Sequence, residues 1–161
     1  MRPKISPCLW FVDQAEEAAR FYTGLLPDSR IDRVQKSPLD TPGGPAGSVL
    51  LVEFTLAGRP YMALNGGSPA QADALAVSFA AALETQEEID RLWDALIADG
   101  GAPRQCGWLV DRYGFPWQVF PSFVLDLLGD PMRGPRMMTA LMGMEKLDLA
   151  ALKAEGPVGG P

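Results

Sequence analysis

Apolar and polar positions change period in the same order twice along this chain. Residues 5–12 are a short apolar run rich in strand-favouring side chains. Ala15, Ala18, Ala19, Tyr22, Leu25 and Leu26 then recur at helical spacing and predict one buried stripe. Asp13 stands where a cap is expected, with Glu16 three residues on as its reciprocal partner, and Pro27-Asp28 ends the helix. Residues 30–36 alternate Ile and Val with Asp32 and Arg33, which predicts an exposed strand. In the strand over 48–56, Val49, Leu51, Glu53 and Thr55 face one way, and Val52 and Phe54 the other. Ala57-Gly58 makes a tight turn into a strand over 59–65. Gly66-Gly67-Ser68-Pro69 then closes a first half that spans 5–67.

The second half, 76–121, repeats the plan. A strand over 76–83 leads to Thr85-Gln86-Glu87-Glu88, which has the form of a capping box. Ile89, Leu92, Trp93, Leu96 and Ile97 supply the stripe and Gly100-Gly101 the stop. Residues 105–110 and 116–121 predict two strands joined by Asp111-Arg112-Tyr113-Gly114, so this half is expected to be one strand shorter. Between strands of the first half, residues 37–47 hold three prolines and three glycines and predict a mobile loop. A helical tail covers 122–155: one helix over 123–128, a second opened by Asp130-Pro131, and a last turn or two capped by Asp148. Residues 156–161 are expected to be disordered. The order predicts an α+β fold, a single domain over 1–161 built from two βαβββ-like halves with a short helical tail.

Charge then narrows the partners. The net charge is −6 and the fourteen Lys and Arg residues form no basic run, which disfavours nucleic acid. No apolar run approaches the roughly 18 residues of a membrane span, and the first residues lack the apolar core of a secretion signal. Two cysteines are too few for a disulfide framework and suit a reducing cytoplasm. A cytoplasmic protein that meets small molecules and protein surfaces is expected.

Several stretches together resemble the PhnB-like branch of the vicinal-oxygen-chelate superfamily, which includes glyoxalase I, bleomycin-resistance proteins and extradiol dioxygenases. They include Leu9-Trp10-Phe11, Ala15-Glu16-Glu17-Ala18, Leu64-Asn65-Gly66-Gly67, Glu84-Thr85-Gln86-Glu87-Glu88, Gln105-Cys106-Gly107-Trp108-Leu109, Trp117-Gln118 and the ending Met144-Glu145-Lys146-Leu147-Asp148-Leu149. The resemblance implies a glyoxalase-type curved sheet forming a cup, and homodimers. In metal-using relatives, His, Gln or Glu ligands come from the first strand of each half and a later strand of each. Carried over, those positions hold Ser6 or Pro7, Val77 or Ser78, a residue near Ala63, and Gln118. The chain has no histidine, and one neutral amide oxygen does not hold an ion, so no metal is expected. The branch often carries the label 3-demethylubiquinone-9 3-methyltransferase. No glycine-rich turn follows the first strand to receive adenosyl-methionine, so no cofactor is predicted.

Candidate ligand-binding residues are Gln118, Trp108, Asn65, Trp10, Ser78 and Phe120. Gln118 and Phe120 share a strand face, so the amide either orients a ligand or bonds to neighbouring backbone. Trp108, on one face with Cys106, is either a flat wall for a ring or ordinary core. Asn65 either meets a ligand at the rim or satisfies its turn, and Trp10 lines either side of its sheet. Glu53 is the one carboxylate nominated as a base. An ion pair with Arg59 across the hairpin is the plainer account of it. Without histidine, Cys106 has no general base and is expected to be inert, as is Cys8. Met137, Met138, Met142 and Met144 predict a packing surface. Three functions fit these residues: a metal-independent binder of a small organic ligand, an enzyme on such a substrate, or a dimeric interaction protein with a vestigial cup.

Overall fold

A computed structural model describes residues 6–68, 78–128, 130 and 132–155, without the side chain of Leu128. Ile5, Pro69, Ala76, Val77, Pro131 and the 156–161 segment, all part of the expectations above, lie outside the described residues. The chain divides into two compact units, Met1–Ala72 and Asp73–Pro161.

Unit 1 runs β1 (Cys8–Phe11), α1 (Ala15–Leu25), β2 (Arg30–Lys36), β3 (Val49–Leu56) and β4 (Arg59–Asn65). Its sheet has the order β1-β4-β3-β2, with β1 parallel to β4 and the other pairs antiparallel. The alternation in β3 decides which face is covered. Val52, Phe54 and Leu56 are buried with Leu9, Phe11 and Ala63 and with the helical stripe Ala15, Ala18, Ala19 and Tyr22. Burying such side chains contributes about 1.5–3 kcal/mol for each large one, so α1 is held to this face. Ala57 and Gly58 both take positive φ, 48° and 74°, as a two-residue hairpin between twisted strands requires.

Asp13 does not cap α1. The first helical N–H, on Ala15, donates to Oδ1 of Asn65, the last residue of β4, at 2.8 Å. The same amide donates through Nδ2 to the Val49 carbonyl at 2.9 Å. The Pro- and Gly-rich residues 37–47 are knit together rather than loose. Ser37 N–H donates to the Ser48 carbonyl, Gly47 N–H to the Ser37 carbonyl and Ala46 N–H to Oδ1 of Asp40. Gly43 of this stretch and Gly67 after β4 face backbone: a Cβ on Gly43 would lie 2.1 Å from the Asn65 carbonyl oxygen, and one on Gly67 would lie 1.7 Å from that of Pro42.

Unit 2 runs β5 (Phe79–Leu83), α2 (Gln86–Ile97), a 3-10 turn (Ala98–Gly100), β6 (Ala102–Pro103), β7 (Trp108–Val110) and β8 (Pro116–Pro121). Its sheet order, β5-β8-β7-β6, matches that of unit 1 strand for strand. The expected missing strand is therefore present. It is β6, two residues long and one of them proline, too short for periodicity to register. The capping box forms as expected: Glu88 N–H donates to Thr85 Oγ1, and Glu88 Oε2 accepts from the Thr85 and Glu84 N–H groups. Those two backbone donors hold the Glu88 carboxyl below its ordinary range. Ile89, Leu92, Trp93 and Leu96 bury α2 with Leu109, Trp117 and Val119.

The tail forms α3 (Phe123–Leu128), α4 (Gly134–Met142) and α5 (Leu149–Glu155). Asp148 Oδ1 accepts from Ala151 N–H at the start of α5. Asp130 Oδ1 accepts from the Met132 and Arg133 N–H groups in the turn before α4, so it caps that turn rather than the helix.

The turn between β7 and β8 is organised by Asp111, which is 2% exposed. Its Oδ1 accepts from Tyr113 N–H at 2.9 Å and Phe115 N–H at 3.0 Å, and its Oδ2 from the Trp117 indole N–H at 2.9 Å. Asp111→Ala strands these buried donors and is expected to cost about 3 kcal/mol of unfolding free energy, measured by urea denaturation.

Candidate functional site

One helix covers the buried face of each sheet; the opposite face of unit 1 carries no helix among the described residues, and that of unit 2 meets the tail helices at Phe120. In unit 1 that face carries Cys8 and Trp10 from β1, Met62 and Leu64 from β4, and Leu51, Glu53 and Thr55 from β3, as strand alternation and register place them. Trp10 lies on it, 42% exposed. Its indole N–H donates to the Ser68 carbonyl at 2.7 Å, and its ring lies over Gly66, where a Cβ would come within 1.9 Å of Cζ2. Ala63 is fully buried on the helix side, so its neighbours Met62 and Leu64, not Ala63, represent β4 on the open face.

Glu53 is on the open face, but Arg59 is not its partner. Arg59 sits opposite Leu56, at the hairpin end, whereas Glu53 lies between Met62 and Arg33. Its Oε2 accepts from Gln35 Nε2 at 3.2 Å and stands 4.0 Å from Arg33 Nε. Nearby, Thr55 Oγ1 donates to Asp32 Oδ2 at 2.6 Å. This edge of the sheet is polar and cross-linked, while the β1 and β4 side is apolar.

Asn65 lies on the opposite face of the same sheet, 5% exposed, with both ends of its amide committed to α1 and to Val49. A role at a ligand rim is thereby replaced by a structural one. It also borders a surface cleft of about 420 Å³ at the start of α1, which Asp13, Glu16, Gly43 and Ser48 help to line.

In unit 2 the open face carries Ser78, Ala80 and Ala82, then Gln118 and Phe120 of β8, then Trp108 and Val110 of β7. Gln118 stands directly between Ala80 and Trp108, and Phe120 opposite Ala82. The Gln118 amide donates through Nε2 to Ser78 Oγ at 2.9 Å, which leaves its carbonyl oxygen as an acceptor. Gln118, Trp108, Ser78 and Phe120 thus meet on one surface, bordered by two exposed alanines that leave space.

Cys106 does not share a strand face with Trp108. Cys106 and Gly107 have φ of 65° and 75°, and Trp108 N–H donates to the Gln105 carbonyl, so residues 105–108 form a turn instead of a strand. Nothing in residue type announces a left-handed cysteine, and alternation fails there. Burial pushes the thiols of Cys106 and Cys8 up, which disfavours the nucleophilic thiolate. The sequence predicts Asp111 only as the start of its turn; its bond to the Trp117 indole leaves no signal there.

A divalent metal does not fit these residues. Among the described residues, no three His, Cys, Asp or Glu side chains come together to hold one. Gln118 and Ser78 offer neutral oxygens already joined to each other. Nor is any helix among the described residues long and apolar enough to cross a membrane.

Two four-stranded mixed sheets, each backed by one helix, define the glyoxalase type of α+β fold found in the vicinal-oxygen-chelate superfamily. Within that class the chain belongs to the family described as 3-demethylubiquinone-9 3-methyltransferase, which matches residues 3–120, and it is PhnB-like. It is similar to the solved structure of a PhnB protein from Bacillus cereus that carries the same methyltransferase description. Identity is 33%, 73% of this chain covers 99% of that one, and the TM-score is 0.65. A protein from Pseudomonas aeruginosa shares the fold at 19% identity, with 74% of this chain covering 98% of that one and a TM-score of 0.59. No curated protein matches the chain.

Asn65→Ala removes the α1 cap and a buried donor together. A loss of about 2 kcal/mol in unfolding free energy is expected, with the open faces unaltered. Urea denaturation measures the first and near-ultraviolet circular dichroism of the tryptophans the second.

Proposed function

We propose that this chain binds a small planar organic molecule on the open face of unit 2, without a metal ion. The observation that carries the reading is the juxtaposition of Trp108, a flat apolar wall, with the Gln118 carbonyl oxygen, a polar anchor fixed by Ser78. Ala80 and Ala82 leave room beside them, and Phe120 extends the apolar surface. Asn65 is left out of the site because its amide is spent on α1.

The absence of histidine and the donor chemistry at Ser78 and Gln118 favour binding through hydrogen bonds and stacking over coordination. No methyl transfer is assigned despite the family description, since no glycine-rich turn after β1 is available for adenosyl-methionine. Glu53 is assigned no reaction, because Gln35 and Arg33 already engage its carboxylate.

The test is a titration with monocyclic aromatic phenols and carboxylates, read by tryptophan emission. At least one member is expected to quench saturably. Gln118→Ala is expected to weaken it about tenfold, and Trp108→Phe to abolish most of the signal change. Equal binding by wild type and Gln118→Ala would overturn the site, and one equivalent of a transition metal in the purified protein would overturn its metal independence.

Pairing of two copies in the cytoplasm completes the proposal, as the PhnB-like resemblance implies. Sedimentation at micromolar concentration is expected to give the dimer mass, and a monomer there would remove this part.

A further inference from the structure

The family match stops at residue 120, and 73% of this chain suffices to cover 99% of the Bacillus cereus relative. The three tail helices follow the stretch that the family match spans, and the way they are held is informative. Their apolar cluster consists of Val124, Met137, Leu141, Leu147 and Leu152, all buried and all belonging to the tail itself. Outside the tail, Cys106 in the turn before β7 and Phe120 of β8 are partly buried against that cluster. Polar ties to the rest of the unit gather on one short stretch, residues 144–149. Cys106 N–H donates to the Met144 carbonyl at 2.6 Å and Gly107 N–H to that of Glu145 at 2.8 Å. The Gln86 side chain donates to the Leu147 carbonyl at 3.2 Å and accepts from Leu149 N–H at 2.7 Å. Lys146 Nζ stands 3.0 Å from Asp90 and 3.3 Å from Asp94 on α2.

An element with its own small core, fastened by one short clasp, opens more readily than the sheet it rests on. We propose that α3, α4 and α5 form a strap that lifts from unit 2 as a folded body when the 144–149 clasp opens. Lifting uncovers the Phe120 end of the open face. Docked, the strap ends that face at Phe120, two residues along the strand from Gln118. Its control over what enters the face rests on the ligand reading above, whereas the lifting itself is measured without any ligand.

The experiment is amide hydrogen exchange by NMR on the whole chain, comparing wild type with the double variant Gln86→Ala, Lys146→Glu. These substitutions remove two clasp hydrogen bonds and set a carboxylate against Asp90 and Asp94, leaving both cores intact. Exchange of the Cys106 and Gly107 amides is expected to rise together by about tenfold or more, with the amides of α4 and β8 unchanged. In a Cys8→Ser background, alkylation of Cys106 by iodoacetamide is expected to accelerate with them. Cys106 and Gly107 amides that exchange as slowly as β8 in both proteins would show that the tail opens only with the sheet, overturning the proposal. Acceleration of the α4 amides by the same factor would show unravelling instead of lifting. Faster amide exchange without faster alkylation would show that the face stays covered.

Discussion

Each unit of this protein has four strands and one helix long enough to cover a sheet, and that shortage governs the rest. A sheet has two faces, and burial of Tyr22, Val52 and Phe54 on one, or of Trp93, Trp117 and Val119 on the other unit's, commits the helix to a single side. Apart from Phe120, which meets the tail helices, the residues at alternate positions are left without a helical cover. Trp10 and Glu53 in the first unit, and Trp108 and Gln118 in the second, owe their accessibility to register alone. A shift of one residue in β8 would bury Gln118 and expose Trp117, together with the Asp111 network that depends on its indole.

Legibility in the sequence followed the distance over which each interaction acts. The Thr85–Glu88 box is closed within four residues, so it could be read directly and formed as read. Asp13 and Glu16 offered the same signal, and the cap was taken instead by Asn65 from fifty residues away. Proline and glycine content pointed to a mobile loop over 37–47. Gly43 in that stretch lets backbone lie against the Asn65 carbonyl, which composition does not distinguish from looseness. Fold class came through because the stripes of α1 and α2 and the alternation of β3 are long. The two-residue β6 and the left-handed Cys106 are too local for any period to record.

Of the candidate site residues, those placed by alternation on the longer β8 came together as a group with Ser78 and Trp108. Those argued from a turn or a guessed partner did not. Asn65 faces the helix, and Glu53 meets Arg33 and Gln35 because the pairing of β2 with β3, invisible to local pattern, brings them alongside. Family membership is firm over residues 3–120.

The long reach of Asn65 also gives the two units different assembly orders. α2 carries its own first-turn partners, so its helix can start as soon as residues 85–88 turn. The opening turn of α1 lacks its side-chain acceptor until β4 has crossed the sheet and delivered the amide, a closure spanning most of the unit. Two units of like topology therefore differ in contact order at the very point where each helix begins. In the first, the side-chain cap of the helix is conditional on strand pairing.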